Sequence, residues 1–183
     1  MMKRARQFER AIRANISGLA PEDYTYVREN LPQAAAKLFW GMNIADQYHA
    51  LQVAYTVERL AKEELAQGQS VDLALLRRTA LLHDVGKVKG DMGTLGKVLA
   101  VLMYGAAPRL AKKLAKRGER VARQYDKISR VLYVHRYHPA IGAAKLRAVG
   151  LTKEAEMIKH HHEPLSSRDS LELRLLKQAD EQN

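Results

Sequence analysis

Apolar residues recur along most of this 183-residue chain at the three- and four-residue spacing of an α-helix, and the alternation typical of β-strands is nearly absent. The clearest stripes consist of Phe8, Ile12 and Ile16, of Leu51, Tyr55, Val57 and Leu60, and of Leu75, Leu76, Leu81 and Leu82. The hydrophobic fraction is 46%, which is ordinary for a folded domain. The pattern therefore predicts an all-α protein with one compact domain.

Capping and breaking residues divide the chain into helices. The predicted starts are an N-cap at Ser70, a first turn at Pro139, an opening at Thr152, and a capping box at Asp169 and Glu172. The predicted ends lie near Gly86, at Gly150 and before Pro164. Only residues 86–97, GKVKGDMGTLGK, are predicted to form an irregular loop.

This glycine-rich loop does not match a phosphate-binding P-loop. A P-loop ending at Gly96 and Lys97 requires a glycine at position 91 and a serine or threonine at position 98. The chain has Asp91 and Val98 at these positions. This class of nucleotide site is therefore excluded.

The chain contains no cysteine, which excludes disulfides, thiolate metal ligands and cysteine nucleophiles. The basic N-terminus lacks the apolar segment of a signal peptide. The longest apolar run, residues 98–107, is about half the length that a bilayer-spanning helix needs. These features predict a protein of the cytoplasm.

Positive charge is concentrated in one segment. Residues 97–130 contain ten Lys and Arg residues against Glu119 and Asp126, so their net charge of +8 supplies most of the chain's +11. The segment is consistent with a solvated helix face, a surface for nucleic acid or anionic membrane, or an attractive entrance for a phosphorylated substrate. Its sequence PRLAKKLAKRGERVAR places Leu110 and Leu114 on one side of a helix and cations around the rest, which suits a lid or the flank of a site.

Seven histidines are clustered in the sequence, and acidic residues lie near several of them. The histidines are His49, His83, His135, His138, His160, His161 and His162, and the acids are Asp84, Glu163 and Asp180. Burying imidazoles and carboxylates together is costly without a compensating cation. Asp180 lies one helical turn beyond Leu176 on an apolar face, so we expect it to meet a positive charge.

A mixed set of imidazole and carboxylate ligands suits Mn, Fe, Zn, Co or Ni, with open coordination positions for water. Other hydrolytic chemistries are not supported, because the chain has no G-x-S-x-G or H-E-x-x-H motif and lacks the cysteines of zinc deaminases. The residues therefore favour a metal-dependent hydrolase.

The order of His49, the pair His83 and Asp84 in ALLHDVGK, and Asp180 at the end of LLKQAD resembles the HD-domain superfamily of metal-dependent phosphohydrolases. The sequence HDVGK is similar to the HDIG subgroup. The resemblance covers residues 44–181 and implies an all-helical fold in which these four side chains converge on one metal ion. Residues 44–183 would form the HD domain, with a basic helical insertion at 97–130, and residues 1–43 an N-terminal helical extension.

Two further segments, HPAIGAAKL from His138 and IKHHHEP from Ile158, resemble the additional histidine segments of the binuclear HD branch, which includes HD-GYP phosphodiesterases. The resemblance implies that His138, His161 and His162 hold or flank a second ion, with Asp84 bridging. No Gly-Tyr-Pro signature follows, so hydrolysis of cyclic-di-GMP is not implied. Successive helical residues point about 100° apart. We therefore expect His160, and also His135, at the surface or behind the ligands.

The sequence and the resemblance together predict hydrolysis of a phosphomonoester or phosphodiester of a nucleotide-like molecule by water activated on one or two metal ions. The expected catalytic residues are Asp84, Lys87 and His138. Lys87 lies three residues after Asp84, so its ammonium either binds a substrate phosphate or pairs with that carboxylate. Either His138 or Lys87 could protonate the leaving group. The alternative is a non-catalytic HD-type module that senses a nucleotide, or that binds nucleic acid or anionic membrane.

Overall fold

A computed structural model describes residues 18–90, 94–120 and 126–183, and it confirms the all-α prediction. Nine helices and no strand occur in these residues. The helices are α1 (Pro21–Asn30), α2 (Gln33–Trp40), α3 (Ile44–Ala66), α4 (Leu73–Leu82), α5 (Thr94–Ala106), α6 (Pro108–Arg120), α7 (Lys127–Ala148), α8 (Thr152–His160) and α9 (Leu171–Gln182). The predicted stripe of Phe8, Ile12 and Ile16 lies outside the described residues.

The main hydrophobic core lies around α3 and α4, which pack against each other and against α8 and α9. Leu51 and Val57 of α3 and Leu76 of α4 are fully buried there, as the helical spacing predicts. Tyr55 is an exception, because it is 37% exposed and its hydroxyl donates a hydrogen bond to Asp23 of α1. Helices α1 and α2 contribute buried side chains to this same core. The division of the chain into an extension and a domain at residue 43 stays a prediction.

A second, smaller core joins α5, α6 and the first half of α7. We call α5 and α6 the helical hairpin. The prediction of a loop through residue 97 is wrong in its last part, because α5 begins at Thr94. Of the two leucines that the sequence places on one side of α6, Leu114 packs against the small core, whereas Leu110 is 51% exposed. The buried face of α6 consists of Ala111, Ala115 and Gly118, because small residues allow the helix to approach its neighbours closely.

Pro139 does not begin a helix, contrary to the prediction, but lies inside the 22-residue helix α7. A proline has no N–H, so it cannot donate to the carbonyl of His135 one turn earlier. The Nδ1 atom of His138 lies 3.0 Å from that carbonyl oxygen and donates to it instead. The side chain of His138 therefore replaces the missing helical hydrogen bond, and the helix continues.

Two predicted caps are also wrong. The N-cap of α4 is Asp72 rather than Ser70, and its carboxylate accepts a hydrogen bond from the backbone of Leu75. The N-cap of α9 is Ser170, which lies nearer the helix start than Asp169 does. Asp169 instead accepts a hydrogen bond from Lys177, so it links the loop to α9. Helix α8 begins at Thr152 and ends before Pro164, as predicted. Among the described residues, no helix has the length and apolar character needed to cross a membrane.

The glycine of α6 provides a test of how closely the helical hairpin packs on α7. A Cβ atom at Gly118 would lie 2.0 Å from the backbone oxygen of Ser129, so the two helices would have to separate. We expect Gly118→Ala to lower the free energy of unfolding by about 1 to 3 kcal/mol. Urea unfolding followed by circular dichroism measures this change.

The matched control is Gly105→Ala in α5, where a Cβ atom would meet nothing within 4 Å. Alanine is the better helix former, so we expect this variant to be neutral or more stable by up to about 1 kcal/mol. Equal unfolding free energies for the two variants would contradict the close contact between α6 and α7.

Candidate metal centre

The seven side chains that the sequence singles out as metal ligands come from five separate segments and converge in one interior region. They are His49 on α3, His83 and Asp84 after α4, His138 on α7, His161 and His162 after α8, and Asp180 on α9. We call these seven residues the His/Asp cluster. Their potential ligand atoms form three overlapping groups, and within each group the atoms lie within 4.8 Å of one another.

The cluster contains two pairs of neighbouring residues, His83–Asp84 and His161–His162, and each pair directly follows the last residue of a helix. His83 comes after α4 and His161 after α8, and both have right-handed helical backbone angles. The backbone then tightens, because the N–H of Lys87 donates to the carbonyl of Asp84, and that of Glu163 to the carbonyl of His160. Such tight turns aim neighbouring side chains into the same interior, as a regular helix would not.

Three of the buried imidazole rings are held in the same way. Nδ1 of His83 lies 2.7 Å from the carbonyl oxygen of Ala80, and Nδ1 of His138 makes the corresponding bond three residues back, to His135. Nδ1 of His161 makes the same bond to Ile158. A carbonyl oxygen only accepts hydrogen bonds, so each Nδ1 carries the proton. The lone pair of each ring is consequently on Nε2.

Glycines bring α7 against the turn that carries His83 and Asp84. A Cβ atom at Gly86 would lie 2.0 Å from the carbonyl oxygen of His138, so the two backbones are in direct contact. Lys145 of the same helix donates a hydrogen bond of 2.8 Å to the carbonyl of Val85. These contacts place His138 beside Asp84.

The spacing of the cluster fits one or more divalent ions. Nitrogen and oxygen ligands lie about 2.0 to 2.2 Å from zinc, so two ligands at right angles around one ion are about 3 Å apart. Nε2 of His138 lies 3.0 Å from Nε2 of His162 and 3.3 Å from Oδ1 of Asp84. Nε2 of His49 lies 3.0 Å from Oδ1 of Asp180.

Two buried nitrogens in the cluster lack a hydrogen-bond partner within the described chain. They are Nε2 of His83 and Nε2 of His161. The nearest carboxylate oxygens to the first are 3.6 Å away on Asp84 and 3.7 Å away on Asp180, which is too far for a hydrogen bond. A buried polar atom without a partner costs about 1 to 3 kcal/mol. A cation bound between these atoms would remove that cost, so the residues present fit a divalent metal.

Asp84 is the most deeply buried carboxylate of the cluster, and Lys87 balances its charge. The Nζ atom of Lys87 lies 2.6 Å from each carboxylate oxygen. Burial alone would raise the pKa of Asp84, but the Lys87 ammonium holds it well below its usual range. Asp84 is therefore ionised and able to act as a ligand.

The buried imidazoles of His138 and His161 are neutral. Burial lowers the pKa of His161 to about 3, and burial together with the Lys87 ammonium lowers the pKa of His138 well below its ordinary value. Neutral imidazole is the form that binds a metal. Asp84, His138 and His161 are thus each in the protonation state that can bind a metal.

The cluster meets solvent at one side. The side chain of His162 is 49% exposed and that of His49 is 26% exposed, whereas His83 and Asp84 are almost fully covered. Asp180, which the sequence predicts will meet a positive charge, lies among the rings of His49, His83 and His162.

The other two histidines lie outside the cluster. His160 points away from it and bonds to the exposed carboxylates of Glu156 and Glu163, whereas the ring of His135 stacks on Tyr104. Both positions agree with the expectation that these histidines are not direct ligands.

Asp46 was not among the predicted site residues, but it is 1% exposed and lies on α3 one turn before His49. Its charge helps to raise the pKa of Lys87, although burial acts in the opposite direction and Asp84 has the larger favourable effect. The only signal in the sequence is the spacing of three residues to His49, which puts both side chains near one face of the helix.

Comparison with known proteins adds one positive finding. The family model described as HD domain matches residues 47–181, well over half of the chain. Neither the curated proteins nor the solved structures contain a significant match. The matched range includes all seven residues of the His/Asp cluster.

Metal binding should stabilise the folded protein through this cluster. A ligand at 100 times its Kd adds about 2.7 kcal/mol to the free energy of unfolding. We therefore expect Mn²⁺ or Zn²⁺ to raise the Tm of chelator-treated protein, and His161→Ala to lose most of that increase because it removes one of the unpartnered nitrogens. Thermal unfolding with and without added ion measures the effect.

His160→Ala is the matched control, since it removes a neighbouring imidazole that the structure places outside the cluster. It should keep the full increase in Tm. An equal loss in both variants, or a full increase in His161→Ala, would show that the cluster is not where the ion binds.

Proposed function

The chain belongs to the HD-domain family, and we propose that it is a metal-dependent phosphohydrolase that uses an activated water molecule to hydrolyse a phosphate ester. The observation that carries the proposal is the buried convergence of imidazoles and carboxylates, with two imidazole nitrogens unpartnered in the described chain. Family membership supports the same chemistry.

The proposed ligands are the seven residues of the His/Asp cluster, holding one or two divalent ions. Asp84, His83 and His161 each belong to two of the three ligand groups, and only Asp84 among them has two carboxylate oxygens, so it is the residue that we propose to connect two ions. A bound ion would lower the pKa of a coordinated water and polarise a phosphoryl oxygen. The metals that suit such a mixed set of ligands are Mn, Fe, Zn, Co and Ni.

The chain's own groups would prepare this reaction before substrate arrives. The backbone bonds of His83, His138 and His161 hold their rings in place, so little reorganisation would be needed on ion binding. Lys87 keeps Asp84 ionised, and its ammonium supplies a positive charge that a phosphate group would meet on entering the cluster.

Lys87 is also the proton donor that we favour for the leaving group. The Nδ1 proton of His138 is engaged by the carbonyl of His135, and Nε2 of the same ring is proposed as a ligand. Both nitrogens of His138 are therefore occupied. Lys87 has three N–H donors and does not need all of them for its contact with the Asp84 carboxylate, so an N–H is available to a leaving group at the same site.

The proposed substrate is a phosphomonoester or phosphodiester of a nucleotide-like molecule. The exposed ring of His162 and the partly exposed ring of His49 mark the side from which it would enter. The positive charge of residues 97–130 favours an anionic substrate over a neutral one. A non-catalytic HD-type module that senses a nucleotide is the alternative.

A hydrolysis assay under added Mn²⁺ tests the proposal. The panel should contain p-nitrophenyl phosphate, bis(p-nitrophenyl) phosphate, nucleoside monophosphates and dinucleotides. We expect turnover of at least one compound, and we expect Asp84→Asn to lower kcat/KM by more than about a hundredfold because it removes a ligand carboxylate.

Glu163→Gln provides the control, because it makes the same change of carboxylate to amide on a side chain that is 62% exposed. It should keep wild-type activity. Metal-loaded protein that turns over no compound on the panel would favour the non-catalytic module, and an Asp84→Asn variant with undiminished activity would exclude the proposed centre.

A further inference from the structure

Helix α5 exposes a continuous apolar face. Leu95, Val98, Leu99 and Leu102 are 86%, 46%, 37% and 63% exposed, and their spacing of three, four and seven residues puts them on one side of the helix. We call them the apolar stripe. The opposite side of α5 packs through Ala100 into the small core. A stripe with the spacing of a core-facing helix therefore faces solvent.

Helix α6 exposes a cationic face. It consists of Arg109, Lys112, Lys113, Lys116 and Arg120, all of them exposed. Within the described part of the chain, no acidic side chain forms an ion pair with any of these five residues. The next basic residue, Arg117, does have a partner, because its guanidinium lies 3.2 Å from Asp126.

The apolar stripe and the cationic face belong to one structural unit. Only Ala107 separates α5 from α6, and the two helices share a core through Ala100, Ala111 and Ala115. None of the residues of either exposed face belongs to the core that joins the helical hairpin to α7. The hairpin thus combines a surface that water solvates poorly with one that attracts anions.

An occupant of this surface must satisfy both of its properties. Nucleic acid would neutralise the cationic face but leave the apolar stripe in water. A second copy of the chain would cover the stripe but bring two cationic faces near each other. An anionic bilayer offers acyl chains to the stripe and negatively charged headgroups to the cations, so it satisfies both.

We propose that the helical hairpin docks this protein on the surface of an anionic lipid bilayer. The leucine and valine side chains of α5 enter the boundary between headgroups and acyl chains, and the lysines and arginines of α6 lie among the phosphates. The surface contains none of the seven residues of the His/Asp cluster, and the proposal does not depend on metal binding or on hydrolysis.

Co-sedimentation of the full-length protein with vesicles tests the proposal. The vesicles are phosphatidylcholine alone and an equimolar mixture of phosphatidylcholine and phosphatidylglycerol. We expect binding to the mixed vesicles only. The double variant Leu95→Ser/Leu102→Ser should weaken that binding at least about tenfold, since two exposed leucines no longer enter the bilayer.

The triple variant Lys112→Gln/Lys113→Gln/Lys116→Gln removes three charges from the cationic face and should weaken binding roughly a hundredfold. Its control is Lys37→Gln/Lys62→Gln/Lys153→Gln, which changes the net charge equally on other exposed helix faces. The control for the leucine pair is Leu65→Ser/Leu165→Ser, at positions 45% and 65% exposed elsewhere. Both controls should bind as the wild type does.

Three outcomes would overturn the proposal. The first is no binding of the wild type to the mixed vesicles at low salt. The second is binding that the loss of Leu95 and Leu102 leaves unchanged, because the stripe would then have no part in it. The third is a dimer in analytical ultracentrifugation that the leucine pair abolishes while vesicle binding is absent, because the stripe would then be an interface between copies of the chain.

Discussion

The bond from an imidazole Nδ1 to the backbone carbonyl three residues earlier is the interaction on which the interior of this protein depends. It occurs at His83, His138 and His161, in three different segments. Each bond fixes the tautomer and the orientation of a ring, and so directs a lone pair on Nε2 toward the other two rings and Asp84. Without these bonds each ring could flip or change tautomer, and an N–H group instead of a lone pair would then point into the cluster. The cluster would then repel a cation.

The same constraint explains features of the fold that are otherwise unrelated. The helix α7 tolerates Pro139 because His138 supplies the bond that the proline cannot make. The turn after α4 requires Gly86, because any Cβ atom there would enter the carbonyl of His138. The ends of α4 and α8 thus coincide with the pairs His83–Asp84 and His161–His162. Burial of the cluster is tolerated because Lys87 balances Asp84 on one side and a cation would satisfy the unpartnered nitrogens on the other.

Much of this could be predicted from the sequence, for physical reasons that differ between residues. Helical periodicity predicts α3 and α4 and their buried leucines, since the spacing of apolar residues is set directly by helix geometry. The set of expected ligands came from a resemblance of motifs, and the convergence of these side chains is a property of the fold that no local pattern contains.

Where the structure differs from what the local sequence suggests, the differences have a common cause: tertiary contacts override local preference. Pro139 favours a helix start by itself, but His138 compensates for it inside a longer helix. Leu110 is the more hydrophobic residue, but Ala111 is buried because α6 packs too closely for a larger side chain. Asp46 carries no distinguishing motif, and its burial beside the cluster follows only from the placement of α3.

The central claim is that the inward-facing imidazole nitrogens and Asp84 hold a divalent cation. Anomalous diffraction from crystals soaked in Mn²⁺ measures this directly. The account predicts an anomalous peak within bonding distance of the Asp84 carboxylate and of Nε2 of His83 or His161. The absence of any peak there, or peaks confined to surface pairs such as His160 and Glu163, would contradict it.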